Sequence, residues 1–149
     1  MIDYYKPKYF SLKELVPEEF YHENKHRGDY LWTICFDPRA LWTADKLRER
    51  FGSMTVNTWE WPNIKKHQYR GYRPPSCTIG SKLSQHRYGR ALDLIPRDIG
   101  SEIVRQEILK DPFCKDFQHI TCLETDISWL HFDVRNWDKE NNGILQVSP

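Results

Sequence analysis

Residues 84–94 read SQHRYGRALDL and residues 128–135 read SWLHFDVR, and the alternation within these two stretches decides the fold class. Successive side chains of an extended strand point to opposite faces. In the first stretch Ala91 and Asp93 share one face, and Leu92 and Leu94 share the other. In the second, His131, Asp133 and Arg135 lie opposite Leu130, Phe132 and Val134. Each strand therefore offers an apolar face to a core and a polar face carrying potential metal ligands. If the two strands are neighbours, His86 at the mouth of the first, Asp93 and His131 converge. Two imidazoles and one carboxylate leave a fourth tetrahedral position for water, the arrangement of catalytic zinc. By spacing alone, an ordinary polar strand face remains the competing reading.

Working outward, Ser11 and Glu14 form a capping box, and Pro17 limits the helix that follows to one or two turns. Residues 21–33, YHENKHRGDYLWT, are polar and read as loop. Asp37-Pro38 opens a second helix with a capping aspartate and a proline at its first position. Leu41, Ala44, Leu47 and Phe51 recur at helical spacing, and Gly52 ends the run. Residues 53–59, SMTVNTW, read as a strand. Residues 61–84 form a long connection rich in Pro, Gly and Ser, of a length that is functional or mobile within a compact domain. A helix over residues 101–110 stops at Asp111-Pro112, and strands over 118–124 and 128–135 follow across a short turn. The polar tail, residues 136–149, reads as irregular. Without repeats or an interior linker, the chain reads as one α+β domain over 1–149, with its core at about 9–135.

Composition narrows the function classes. With 149 residues the chain can bury a core, and a net charge of +1 gives no general electrostatic case for nucleic acid or a membrane surface. The local basic run of Lys65, Lys66, His67 and Arg70 reads as a solvated loop. Six Trp among 14% aromatic residues indicate a ring-lined core or cleft. The four cysteines, Cys35, Cys77, Cys114 and Cys122, form no CxxC and read as free thiols from a reducing compartment. No apolar run approaches a membrane span, and MIDYYKPKYF lacks the apolar segment of a signal peptide. Synthesis in the cytoplasm and release by another agent are the expectation.

SQHRYGRALDL resembles the SxHxxGxAxD signature of the zinc D-Ala-D-Ala carboxypeptidase and L-alanyl-D-glutamate endopeptidase family, whose fold the hedgehog signalling domain shares. The flanks are similar in the same order: YFSLKEL, DPRALWTADKLRERFG, RGYRPP and SWLHFDVR, spanning roughly residues 9–135. The resemblance implies a small antiparallel sheet that carries one zinc ion and packs against a few helices. It makes His86, Asp93 and His131 the ligands and Arg73 the arginine on a substrate carbonyl or carboxylate oxygen, where it also suits an oxyanion. Ser84 matches a motif serine near the substrate, and Trp129 stands where it can wall the cleft. Small Gly89 and Ala91 let ligand-bearing segments approach closely.

The general base departs from the family pattern. The position three before His131 is Ser128, whereas Glu124 stands seven before it and Asp126 five before. The resemblance then points to Glu124, with Asp126 as second choice. Asp133 shares the face of His131 and reads as the carboxylate that orients a ligand imidazole. His22, His26, His67 and His119 match no role. The implied activity is hydrolysis of a peptidoglycan stem-peptide bond, of D-Ala-D-Ala or L-Ala-D-Glu type, by a phage or prophage lysis enzyme or a virion-borne wall hydrolase. Its partners would be the stem peptide and other virion or lysis proteins. The rival expectations are a zinc-binding module that has lost hydrolysis and a structural virion component of the same fold.

Overall fold

Proline and capping residues divide the N-terminal third into short helices. The structure, a computed structural model, describes residues 3–149, so the first two residues of MIDYYKPKYF lie outside the described residues. Helix α1 (Leu12–Leu15) is one turn long, with the Ser11 amide donating to Glu14 Oε2 at 2.8 Å, and Pro17 separates it from α2 (Glu18–Asn24). A 3-10 turn, Lys25–Arg27, leads to α3 (Tyr30–Cys35). Residues 21–33 are thus largely helical, not the expected loop. Helix α3 buries Leu31, Trp32 and Cys35, so tertiary packing holds a segment whose local periodicity is too short to announce itself. Helix α2 has no fully buried residue, but Phe20 and Tyr21 pack half-buried against the core, and Glu18 and Glu19 in its first turn complement the helix dipole.

Helix α4 (Pro38–Phe51) keeps its expected bounds. The Asp37 carboxylate accepts from the Arg39 amide at 3.0 Å, and Gly52 ends the helix at φ +90°. Strand β1 (Met54–Thr55) is far shorter than expected over 53–59, because the following residues bond elsewhere. The Asn57 amide donates to Glu14 O at 2.9 Å, and Trp59 Nε1 donates to Val16 O at the same distance.

Strand β2 (Ala91–Pro96), helix α5 (Ser101–Lys110), β3 (Cys122–Glu124), β4 (Leu130–Asp133), α6 (Lys139–Asn142) and β5 (Leu145–Val147) complete the chain. The five strands lie in the order β1-β2-β4-β3-β5. All pairs are antiparallel except β3 with β5, which is parallel, so the sheet is mixed and not the expected antiparallel one. The tail is correspondingly not irregular. Asp138 caps α6, Gly143 turns the chain at φ +68°, Ile144 is buried, and β5 extends the sheet.

The register fixes what each face carries. Leu92 lies opposite Phe132 and Leu94 opposite Leu130, and Leu123 flanks Phe132 from the other side. These side chains form the core with Leu41 and Leu47 of α4, Val104 and Ile108 of α5, and Phe117. Each such buried Leu or Phe contributes roughly 1.5–3 kcal/mol relative to exposure. Among the described residues, no helix is long and apolar enough to cross a membrane.

Candidate metal centre

The opposite face of the same sheet carries the polar rows. Asp93 of β2 pairs with His131 of β4, and Ala91 pairs with Asp133 one row away. Cys122 also pairs with Asp133 and Leu123 with Phe132, so the next position of β3, Glu124, falls beside His131. Asp93, His131 and Glu124 therefore form one row across three adjacent strands, as strand alternation requires.

His86 arrives by a different route, from the 3-10 turn Gln85–Tyr88 just before β2. Its Nδ1 meets the Gly71 carbonyl at 2.8 Å. A carbonyl only accepts, so Nδ1 carries the proton and Nε2 keeps its lone pair for a metal. Residues 71–73 are wedged in place: the Tyr72 amide donates to Leu15 O at 2.8 Å, and the Arg73 amide to His86 O at 3.1 Å. Gly89 closes the turn in the left-handed region at φ +64°. A Cβ there would meet Cys35 O at 1.9 Å. Its close approach is thus to the end of α3, not to another ligand-bearing segment as the sequence suggested.

The three side chains converge. Asp93 Oδ1 lies 2.7 Å from His131 Nδ1 and 3.4 Å from His86 Nε2. One potential ligand atom from each residue falls within 4.8 Å of the others, close enough to hold a metal ion. His86, Asp93 and His131 are 2%, 7% and 4% exposed, so the donors sit away from bulk water. The donor set, two imidazoles, one with its tautomer set by a carbonyl, and a carboxylate, is of a kind that holds metal ions.

Asp133 stands where the shared face suggested. Its Oδ2 lies 3.4 Å from His131 Nε2, and Arg135 holds it through Nε at 2.8 Å and Nη2 at 2.6 Å. Burial pushes the Asp133 carboxyl up, but His131 and Arg135 outweigh it and hold the group at about 2. Burial likewise opposes the His131 imidazolium, yet Asp133 and Asp93 raise it to about 9. Against burial, His86 and His131 hold Asp93 well below the usual carboxylate range.

A cavity of about 490 Å³ opens onto the cluster, and Arg73, Ser84, Glu124, Trp129 and Arg135 all line it. Glu124 Oε1 is 3.9 Å from His131 Nε2. Arg73 donates from Nε to Tyr69 O at 2.7 Å, and its Nη2 lies 3.7 Å from Asp93 Oδ2. Gly80 leaves room for that guanidinium, since a Cβ at this position would sit 2.4 Å from Arg73 Nη1. Asp126 does not line this cavity. It sits at φ +60° in the β3–β4 turn, accepts from Ser148 Oγ at 3.1 Å, and lines a separate hollow with Arg105.

Arg105 escaped the sequence reading. It is 1% exposed on α5 and donates to Glu124 O at 2.9 Å and Trp129 O at 2.7 Å, clamping both ends of that turn. The available signal was an arginine beside Val104 and Ile108 on the buried face of the helix. Among the unassigned histidines, His119 packs edge-on against Trp42, and none of the four enters the cluster. No protein-family model matches the chain, and no curated protein or solved structure matches it either.

Proposed function

We propose that His86, Asp93 and His131 bind one zinc ion and that the protein hydrolyses a peptide bond in peptidoglycan stem peptides. The observation that carries this reading is the convergence of a three-donor cluster, a carboxylate (Glu124) and a guanidinium (Arg73) on one cavity. The motif resemblance supplies the substrate class and the phage or prophage setting, with D-Ala-D-Ala and L-Ala-D-Glu as the candidate bonds.

Zinc bound there would supply Lewis acidity to water and to the scissile carbonyl. The residues of the chain do the rest. The Glu124 carboxylate takes a proton from the attacking water as the new C–O bond forms and returns it to the nitrogen as the C–N bond breaks, so that the leaving group departs as an amine and not as an amide anion. Arg73, held by Tyr69 O, directs its remaining donors toward the negative charge that grows on the carbonyl oxygen. Asp133, itself locked by Arg135, keeps the His131 ring oriented. Trp129 and Ser84 wall the substrate.

One observation favours a second reading, a metal-binding module without hydrolysis. Glu124 Oε1 lies 3.9 Å from His131 Nε2, whereas Asp93 faces Nδ1, so the carboxylate offered as base stands at the other ring nitrogen from the carboxylate donor. A single experiment separates the two: zinc content and amine release from purified peptidoglycan for wild type, His86→Ala and Glu124→Gln. The peptidase reading expects both variants to lose activity and Glu124→Gln to keep its zinc. Zinc without cleavage on several wall types supports the module, and a wild type that binds no zinc overturns both.

A further inference from the structure

The basic run is a loop with Lys65 and Lys66 exposed, as expected, and its 67–70 end is half-buried against the site. A second cavity, of about 410 Å³, is lined by Lys66, His67, Arg70 and Arg73, and it shares Arg73, Asp93 and Trp129 with the first. The two cavities therefore meet at the metal cluster; Glu124 lines only the first.

The basic wall is built, not draped. The Thr58 amide donates to His67 O at 2.8 Å, and the His67 amide to Thr58 Oγ1 at 3.0 Å. Lys66 Nζ donates to Trp59 O at 2.7 Å, leaving its other protons free. Arg70 is tied at its amide to Asn57 Oδ1 at 3.1 Å, and its carbonyl accepts from the Asp93 amide at 2.8 Å. The backbone that carries the cations is thus bonded directly to a ligand strand.

The charges, by contrast, are unanswered. Among the described residues no carboxylate lies within 4.0 Å of Lys66, His67 or Arg70, and the only acid lining the cavity is Asp93, already engaged by two histidines. Burial first, then the charges of Arg70 and Lys65, push the His67 imidazolium below its ordinary value, so the positive charge of the wall belongs to Lys66 and Arg70 while His67 offers a ring N–H. Two cations, Lys66 and Arg70, without a dedicated counter-charge in a cavity that meets the cluster are complementary to an anion.

We propose that this second cavity is a carboxylate subsite: Lys66, His67 and Arg70 receive a carboxylate of the bound peptide on the side of the scissile bond away from Glu124. The peptide as ligand rests on the peptidase reading; the anion preference does not. The carboxylate comes either from an acidic side chain or from a free C-terminus.

The test uses zinc-loaded Glu124→Gln protein and three blocked peptides of equal length, with binding measured by calorimetry. One peptide is neutral with a C-terminal amide, one carries an internal glutamate and a C-terminal amide, and one is neutral with a free C-terminal carboxylate. At least one anionic peptide should bind about tenfold tighter than the neutral one, as a charge-assisted hydrogen bond implies. The one that does identifies the source. Adding Lys66→Gln and His67→Gln, both away from the core, should bring all three within about twofold; Arg70→Lys provides a milder second variant. Equal binding of all three peptides, or selectivity that survives both sets of substitutions, overturns the subsite. Selective binding by a protein whose wild type never cleaves peptidoglycan overturns the peptidase reading and leaves the subsite standing.

Discussion

Replacing Gly89 with alanine tests how tightly the cluster is coupled to the helical half of the molecule. The perturbation has two parts. Alanine must adopt φ +64°, which costs about 1–2 kcal/mol for a residue with a Cβ. Its Cβ would also stand 1.9 Å from Cys35 O and 2.6 Å from Phe36 Cα, against an ordinary contact of 3.4 Å or more, so the backbones must separate by about 1.5 Å (3.4 − 1.9). Both obstacles are main-chain atoms, and no side chain can swing away; overpacking of this kind costs about 1–3 kcal/mol. The expected loss is about 2–5 kcal/mol, a large part of the stability of a domain this size. The strain propagates, because the Asp37 amide donates to Gly89 O at 3.0 Å and the Gly89 amide to His86 O at 3.3 Å. Gly143→Ala is a clash-free reference, since nothing lies within 4 Å of the added carbon, but its backbone at ψ −167° lies outside the left-handed helical region that Gly89 occupies at ψ 19°, so its conformational cost is its own. Urea midpoints with unchanged m-values measure both variants, and a zinc titration reads the shift of His86. If Gly89→Ala costs no more than the roughly 1–2 kcal/mol of the left-handed conformation alone, the close approach carries no energy and the reasoning fails.

Three further outcomes are expected. Arg105→Met strips the carbonyls of Glu124 and Trp129 of a charged donor, costs about 3 kcal/mol in a denaturant titration, and is not rescued by Arg105→Lys, whose single ammonium cannot span both oxygens; a loss under about 1 kcal/mol would show that the turn stands without the clamp. Burial lowers Lys139 from 10.5 to about 8, so between those pH values the unfolded chain holds more protons than the folded one. Stability relative to Lys139→Met should therefore rise with pH from about 8 to 10.5, and parallel pH profiles for the two proteins would contradict the burial of that charge. Burial pushes the Cys35 and Cys122 thiols up to about 12, so alkylation of the folded protein at pH 8, read by mass spectrometry, should reach the half-buried Cys114 first. Modification of Cys35 or Cys122 before Cys114 would count against the packing described.

The parts of the fold legible from sequence are those governed by local rules. Asp37-Pro38 and Gly52 bracket α4 because capping and proline chemistry act within one turn. Alternation placed Asp93, His131 and Asp133 on one face because strand geometry leaves no other choice once the register is known. What escaped depends on partners distant in sequence. Leu31, Trp32 and Cys35 form a helix because a core awaits them, and β5 forms because β3 offers an open edge. Arg105 looks like any helical arginine until the turn 19 residues later folds over it. The basic run Lys65–Arg70 is the loop the sequence suggests, with Lys65 and Lys66 exposed; only its anchoring to the site escaped, because Thr58 and Asn57 are separated from it by a turn.

The pairing of Asp93 with His131 across β2 and β4 has a consequence for exchange. Two of the three donors belong to adjacent central strands, whose separation requires breaking the middle of the sheet. The third, His86, belongs to a single 3-10 turn held by the Gly71 carbonyl and the left-handed Gly89. Local opening follows the least protected element. A metal held here would therefore enter and leave on the timescale of the 85–88 turn lifting and reseating, while Asp93 and His131 wait in register, and its half-life would report on the turn, not on the stability of the sheet.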